Sequence, residues 1–533
     1  MEVNTSRRKL LAGTAALAAA GCALPARALS VKKESDVVWD READVVILGF
    51  GNAGANAAIE AADAGASAII LEKMPVGGGN VAVSAGGYVV PTSVKDYYTY
   101  QKTLYELSQS EWDEEILRVF CEESAKLPEY FQKIAPEAKA GVYGHAGYQQ
   151  LPGADSVDKV SLRGVPGAKG GDRLFGVLAR AVEARNVPVL YNTPATRMIE
   201  IEGEAAGVEA RQDGKTIRVK AKKAVIIATG GFQCNPDLMK KYIFGAGMSY
   251  LGSPGHTGDG LLMAQSMGAG LWHMNAVSAP LGVQVPGVKA GIALVTRQPA
   301  FIWVDQDGRR FVNEKKLDYH CSWMAVNNFD AIRHRYPRIP CWMIMDETYI
   351  KAGPITSQGA SGYAVNREGY KWSRDNSKEI ESGVILKADT LSELAKKIGM
   401  EDPKVLEATV EHWNKDLKEV GYDTEFGRTL TADPKQKAIF IGRDVKAWSA
   451  PIEKGPFYAM KLVPVLYHTM GGPRHSVKAE CLDPYGKPIP RLFIAGEAAS
   501  IWGLTYQGAC ANSDAIIFGR IAGREAAKLP PRG

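Results

Sequence analysis

Asp44–Glu72 reads DVVILGFGNAGANAAIEAADAGASAIILE, and the fold follows from how this stretch is read. Val45–Leu48 is a short apolar run of the kind that forms a buried parallel strand. Gly49, Gly51 and Gly54 then supply G-x-G-x-x-G at the point where strand turns into helix. The first glycine allows the tight turn, the second lets the backbone approach a pyrophosphate, and the third lets the helix pack closely on the sheet. A helix is predicted from about Ala53 to Ala64, stopped by Gly65. A second apolar strand, Ala68–Leu71, ends at Glu72, whose carboxylate is placed to hold a ribose hydroxyl. A glycine triplet alone is weak. Strand, triplet, helix, strand and acid in this order favour a dinucleotide site over a bare β-α-β packing unit.

The 533 residues suffice for two or three domains with large cores. With 46% hydrophobic and 23% charged residues the composition is that of an ordinary soluble globular protein. A net charge of +5, dispersed over this length, argues against a nucleic-acid partner. Seven cysteines, at 22, 121, 234, 321, 341, 481 and 510, form no C-x-x-C or C-x-x-C-H. That speaks against structural zinc, an iron–sulfur cluster or attached haem, and no metal site is expected.

At the N-terminus, Ser6-Arg7-Arg8-Lys9-Leu10-Leu11 precedes an alanine-rich stretch, and Ala26-Arg27-Ala28 is a small-x-small cleavage signal. Residues 1–28 resemble a twin-arginine export signal, the route of proteins that fold around a cofactor before export. The resemblance implies a periplasmic protein, with lipid anchoring at Cys22 as the lesser alternative. Residues 29–42 are polar and charged and read as a linker.

Four further motifs follow. Lys73 to Gly87 is rich in glycine and includes Gly79-Asn80, Ser84 and Gly86-Gly87, as expected of a second loop pressed against the same cofactor. Val225–Ala228 is an apolar strand entering Thr229-Gly230-Gly231. GHTGDG, ending at Gly260, precedes a predicted helix from Leu261 to Met267. Leu492–Ala495 leads into Gly496-Glu497, and the predicted terminal helix, Ser513–Lys528, contains F-G-R-I-A-G. Together these resemble the flavoproteins of the soluble fumarate reductase and 3-ketosteroid dehydrogenase superfamily.

The resemblance implies an α/β fold, a Rossmann-like FAD-binding domain with an inserted α+β capping domain. The FAD-binding part would comprise 43–274 and 465–533, the capping part 275–464. Cofactor contacts are implied for Gly49, Gly51, Ala53, Gly54, Glu72, Lys73, Gly79, Asn80, Ser84, Gly86, Gly87, Thr229, Gly230, Asp259, Glu497 and Ser513. The T-G-D-G turn would aim amides and a helix N-terminus at the cofactor phosphates, with Asp259 also able to cap that helix. No histidine lies between Lys73 and Val90, so the FAD is expected to be held non-covalently.

Flavin chemistry leaves the protein three tasks: hold a carbon against N5, polarise the conjugated carbonyl, and manage one proton. Soluble fumarate reductases grip two carboxylates with arginines and histidines, and their relay arginine follows R-F-V-N-E. Here Arg310-Phe311-Val312-Asn313-Glu314 is intact, but Asp318 stands at the relay position and Tyr506 at a second arginine position. Arg297 matches another relay arginine by spacing, and His468, before Thr469-Met470-Gly471-Gly472, is kept.

Thr505-Tyr506-Gln507-Gly508-Ala509 instead resembles T-Y-P-G-A of the ketosteroid dehydrogenases, in which the tyrosine polarises a ketone oxygen. Tyr319 would handle a proton, and Tyr88 would be a further pocket tyrosine. The implied catalytic set is Tyr506, Tyr319, His468 and Arg297. The expected activity is hydride transfer between FAD and a carbon–carbon double bond activated by a carbonyl or carboxyl group in a small substrate. Electrons would pass through a separate partner, a cytochrome or quinol-linked protein. A fumarate-like reductase recruiting Arg297, Arg163 or Arg173, a 3-ketosteroid dehydrogenase and a non-catalytic electron shuttle remain as alternatives.

Overall fold

The computed structural model describes residues 27–532 except 168–169, 246, 297, 357–361 and 432–446. The export-signal reading therefore lies almost entirely outside the described residues, as does Arg297.

Arg41–Leu48 forms the central parallel strand of a nine-stranded sheet. It pairs with Ala68–Leu71 on one side and with the second half of Lys215–Ile227 on the other. Val45, Val46 and Ile47 are completely buried, as an apolar run covered on both faces should be. Pro488–Ile494 adds a further parallel strand, bringing the last part of the chain beside the first. Two readings change here. Ile217–Val219, which by its apolar residues also reads as a short strand of its own, and Val225–Ala228 merge into one strand, Lys215–Ile227. It pairs antiparallel with Glu204–Gln212, bulges between Ala221 and Ala224, and continues in parallel pairing. Leu29–Val31, expected in the linker, is an edge strand paired with Ala195–Ile201.

The helix Asn52–Asp63 is sandwiched between this sheet and the terminal helix Cys510–Lys528. The F-G-R-I-A-G stretch explains the fit. A Cβ on Gly519 would stand 2.5 Å from the Ala53 carbonyl oxygen, and one on Gly523 would stand 2.3 Å from that of Ala57. Alanines on one helix and glycines on the other bring the two backbones together.

A second, seven-stranded sheet runs Ile292–Ala293, Leu281–Val283, Phe457–Leu466, Cys341–Asp346, Phe301–Val304, with Ser249–Tyr250 and Ile385–Ala388 also on the long central strand. Its strands span the chain from Ser249 to Leu466, so it begins before residue 275. The helices Leu391–Lys397 and Pro403–Lys415 cover one face. R-F-V-N-E lies inside this unit. Arg310 meets Asp423 at 2.6 Å and Glu314 at 3.2 Å, while the completely buried Arg428 also reaches Glu314 at 3.2 Å and stacks near Trp413. Such a buried cluster persists because every charge is paired. Just beyond the seven-stranded sheet, Val277–Ser278 pairs with His468–Thr469 in a separate two-stranded ladder.

Candidate active site

A cavity opens at the carboxyl ends of the parallel strands, where Leu48, Leu71, Ala228 and Ala495 stand together. This is where open α/β sheets bind ligands. The three fingerprint glycines do different work. Gly49 has φ +101°, and a Cβ there would lie 2.5 Å from the Ala228 oxygen. A Cβ on Gly54 would lie 2.0 Å from the Gly49 oxygen. A Cβ on Gly51 would meet nothing within 4 Å, and Gly51 borders the cavity. The first two close the turn; the middle one leaves room for a ligand.

Glu72 is buried at the cavity edge, with Oε2 accepting the Phe50 N–H at 2.7 Å and Oε1 the Met74 N–H at 2.8 Å. Burial raises its pKa, against the pull of those two N–H groups. Each oxygen keeps a second lone pair for a hydroxyl donor. Lys73 Nζ bonds Thr257 Oγ1 at 2.6 Å and Asp259 Oδ2 at 2.7 Å. Asp259 opens the helix Asp259–Ser266, but the cap position belongs to Gly258, at φ +79°, without a side-chain cap bond. The capping role expected of Asp259 is thus replaced by a pair with Lys73.

Toward the other end, Asn80 Nδ2 donates to Glu497 Oε2 at 2.7 Å and to the Tyr467 oxygen at 2.9 Å, while its Oδ1 accepts the Ser253 N–H at 2.7 Å. His256 Nδ1 lies 3.1 Å from Glu497. Burial pushes the Glu497 pKa up, but His256, His468 and Asn80 outweigh it and hold the group below its ordinary value.

Tyr506 closes this end. Its hydroxyl oxygen accepts the Ala511 N–H, in the first turn of the terminal helix, at 2.9 Å. A phenol that accepts from the backbone keeps its own O–H to donate. His320 and His468 flank the ring edge-on, each with centroids 5.2 Å away. Gly508 makes this packing feasible, since a Cβ there would lie 2.4 Å from His320 Cε1. Burial pushes His320 down to about 3 and lowers His468, so both rings are neutral near pH 7. Tyr143 and Tyr467 complete the wall, and no arginine borders the cavity among the described residues.

The residues fit an adenine dinucleotide carrying a flavin. Gly51 leaves the pyrophosphate approach open, and Thr229 Oγ1, at the cavity wall, is buried without a partner among the described residues. Over residues 44–513 the chain matches the FAD binding domain family. The chain belongs to that family. FAD is its cofactor, and the family is one of FAD-dependent oxidoreductases.

This flavoprotein is 30% identical over 508 residues to the fumarate reductase (cytochrome) of Shewanella frigidimarina, covering 91% of this chain and 77% of that protein. It is 29% identical over 514 residues to the NADH:fumarate oxidoreductase of Klebsiella pneumoniae, covering 94% of this chain and 49% of that one. The chain thus spans about half the length of that relative, and 52% of the Vibrio harveyi NADH:acrylate oxidoreductase. The 3-ketosteroid delta1-dehydrogenase of Sterolibacterium denitrificans shares the fold, with TM-score 0.77 at 23% identity over 92% of this chain and 100% of that one. An open flavocytochrome c3 fumarate reductase gives 0.67 at 25%, over 93% and 82%.

Fourteen of the sixteen expected cofactor residues border the one cavity; Gly54 and Ser513 do not. Gly54 packs behind it. Ser513 is spent elsewhere, its hydroxyl accepting the Val89 N–H at 2.8 Å. Its neighbour Asn512 borders the cavity instead, donating to the Gly87 oxygen at 2.8 Å. Of the catalytic set, Tyr506 and His468 border the cavity and Tyr319 stands one layer behind Tyr467, hydroxyl to hydroxyl at 3.3 Å. Tyr88 is completely buried against Phe131 and is core. Asp318 does not face a substrate. Its Oδ1 accepts the His320 and Cys321 N–H groups at 2.9 and 3.2 Å, and burial raises its pKa to about 6. Arg163 is exposed and Arg173 is half-buried, its Nε donating to the Gly167 oxygen at 3.2 Å, and neither borders the cavity. Tyr143, Tyr467 and Asn512 were not among the expected site residues; Tyr467 and Asn512 adjoin expected ones, His468 and Ser513, whereas only the fold brings Tyr143 to the wall.

Proposed function

We propose that this flavoprotein reduces or forms a carbon–carbon double bond conjugated to a carbonyl group in a small, neutral or singly charged substrate. One observation carries the reading. Tyr506, its oxygen already accepting from a helix N-terminus, has a free O–H at the cavity wall between two neutral histidines. That is a preorganised oxyanion donor in a water-poor aromatic pocket. Bound FAD, held non-covalently, supplies the hydride exchange.

Tyr506 polarises the carbonyl oxygen. Tyr467, backed by the Tyr319 hydroxyl, moves the proton at the carbon next to that carbonyl. His320 and His468 hold the Tyr506 ring in place and add no charge. The surroundings of Tyr506 suit a ketone better than a second carboxylate, which needs a cationic fork. A fumarate-like acid reductase, in which Arg297 supplies the charge, is the second reading. It is favoured by the fumarate- and acrylate-reducing relatives. We further propose export by the twin-arginine route, on the strength of Ser6-Arg7-Arg8-Lys9-Leu10-Leu11. A separate cytochrome or quinol-linked carrier would then exchange electrons with the flavin.

The test is reoxidation of the dithionite-reduced protein by a panel of enones, unsaturated monoacids and fumarate. Fastest reoxidation by an enone supports the proposal. Fastest reoxidation by fumarate moves the assignment to the second reading, and a flavin reoxidised by none identifies an electron shuttle.

A further inference from the structure

The ketosteroid-dehydrogenase-like pattern around Tyr506 has proline after the tyrosine, whereas this chain has Gln507. The Gln507 side chain is completely buried and engaged at both ends. Its Oε1 accepts the Tyr100 hydroxyl at 2.5 Å and the Gly147 N–H at 2.7 Å, and its Nε2 donates to the Gly508 oxygen at 2.9 Å. The Tyr100 hydroxyl in turn accepts the Tyr148 N–H at 3.2 Å, and the Tyr148 hydroxyl lies 3.5 Å from Cys321 Sγ.

The amide therefore ties the turn bearing Tyr506 to the loop at Gly147 and to Tyr100. Through Tyr148 that loop reaches the Cys321 segment, so three segments of the cavity end are linked. The turn before the terminal helix bears Tyr506. The loop after the strand Lys139–Gly144 follows Tyr143, and Cys321 follows His320. The helix Val94–Ser108 contributes Tyr100, which does not itself border the cavity. Proline would stiffen such a turn through its fixed φ. Gln507 has no ring constraint and acts through hydrogen bonds, which are expensive to break once buried because both partners are left unsatisfied.

We infer that Gln507 is a positioning residue for carbonyl recognition, its amide fixing the Tyr506 hydroxyl relative to the Tyr143 and His320 walls. The inference rests on the proposed role of Tyr506 as carbonyl donor. It makes a remote hydroxyl, that of Tyr100, part of what sets the reaction rate.

A double-mutant cycle on the FAD-loaded protein, with the best enone of the panel, tests it. Gln507→Leu is expected to lower kcat by roughly 10-fold or more with KM little changed, since small misplacements of reacting groups cost up to ~10²-fold. Tyr100→Phe, which deletes one oxygen, acts in the same direction and more weakly. In a Tyr506→Phe background both changes become nearly silent, because they act through the hydroxyl already removed. The second readout is affinity for 4-chlorophenol, whose phenolate mimics an enolate, followed by flavin absorbance without turnover. Tyr506→Phe and Gln507→Leu each weaken it, and the double variant is no weaker than Tyr506→Phe. FAD content and melting temperature report folding, and Tyr100→Phe carries the cycle if Gln507→Leu is unstable. Losses that multiply in the double variants, or full activity in both Gln507→Leu and Tyr100→Phe, overturn the inference. Wild-type activity in Tyr506→Phe alone overturns the parent reading instead, whatever Gln507 does.

Discussion

Gly51→Ala and Gly54→Ala are the same chemical change three residues apart, and the structure gives them opposite outcomes. At Gly54 the new methyl would sit 2.0 Å from the Gly49 carbonyl oxygen, a backbone atom that cannot swing aside. The helix must lift off the turn, and overpacking of this kind typically costs about 1–3 kcal/mol. At Gly51 the methyl meets nothing within 4 Å. Gly51 is the N-cap of Asn52–Asp63, so alanine loses up to about 1 kcal/mol of cap preference. It recovers about 0.4–1 kcal/mol from the stiffer unfolded chain. The apoprotein should therefore melt within a degree or two of wild type. Gly51 borders the cavity, so the methyl would take up space at the expected pyrophosphate approach, and losing one charge-assisted hydrogen bond there would cost about 1.5–3 kcal/mol, roughly 10- to 100-fold in affinity. Melting of the apoproteins by circular dichroism, and FAD titration by flavin fluorescence, separate the two effects. A Gly51→Ala protein that binds FAD normally, or melts as early as Gly54→Ala, would refute the assignment of Gly51 as the ligand-facing glycine.

Tyr506→Phe should lower turnover by roughly 10²–10³, the usual effect of deleting an oxyanion donor. It should also lower the melting temperature slightly, because the Ala511 N–H loses its acceptor. Tyr467→Phe should slow proton transfer more than Tyr319→Phe, as a solvent deuterium isotope effect on single turnover would show; the reverse order would put Tyr319 against the substrate. Fumarate should be reduced more slowly than the best enone, as steady-state rates on the same preparation will decide. Asp514 gives a pH prediction: burial raises it from 3.8 to about 8, and its Oδ1 has no partner among the described residues. A folded pKa above the unfolded one contributes stability that is complete below the unfolded value and is lost as pH rises through the folded one. The melting temperature of Asp514→Asn minus that of wild type should thus grow from pH 5 to pH 9, and a constant difference would show the carboxyl to be solvated.

The backbone frame of the cofactor site was legible in the sequence. Gly49, Gly51, Gly54 and Glu72 report a local geometry, a strand–turn–helix–strand, that a short stretch of chain dictates by itself through φ, close approach and apolar patterning. The same holds for Thr229-Gly230 and Gly496-Glu497, each at the end of its own apolar strand. Glu204–Gln212 was not legible, because alanine, glycine and glutamate have little strand preference and only pairing with Ala195–Ile201 and Lys215–Ile227 makes it a strand. The ring end of the cavity was legible only in part. Tyr506 and His468 sit in recognisable motifs, and Tyr467 and Asn512 lie close to them in the chain, but nothing in those motifs says that these two side chains face the cavity, and Tyr143 reaches the wall from a distant segment. Asp318, read as a charge facing substrate, turns inward because two backbone N–H groups within three residues take its oxygen. Sequence determines where the backbone must bend and where it can be approached. Which side chains then face one another across a cavity depends on contacts between residues hundreds of positions apart, such as Tyr100 with Gln507, and those exist only once the sheets and the terminal helix have packed.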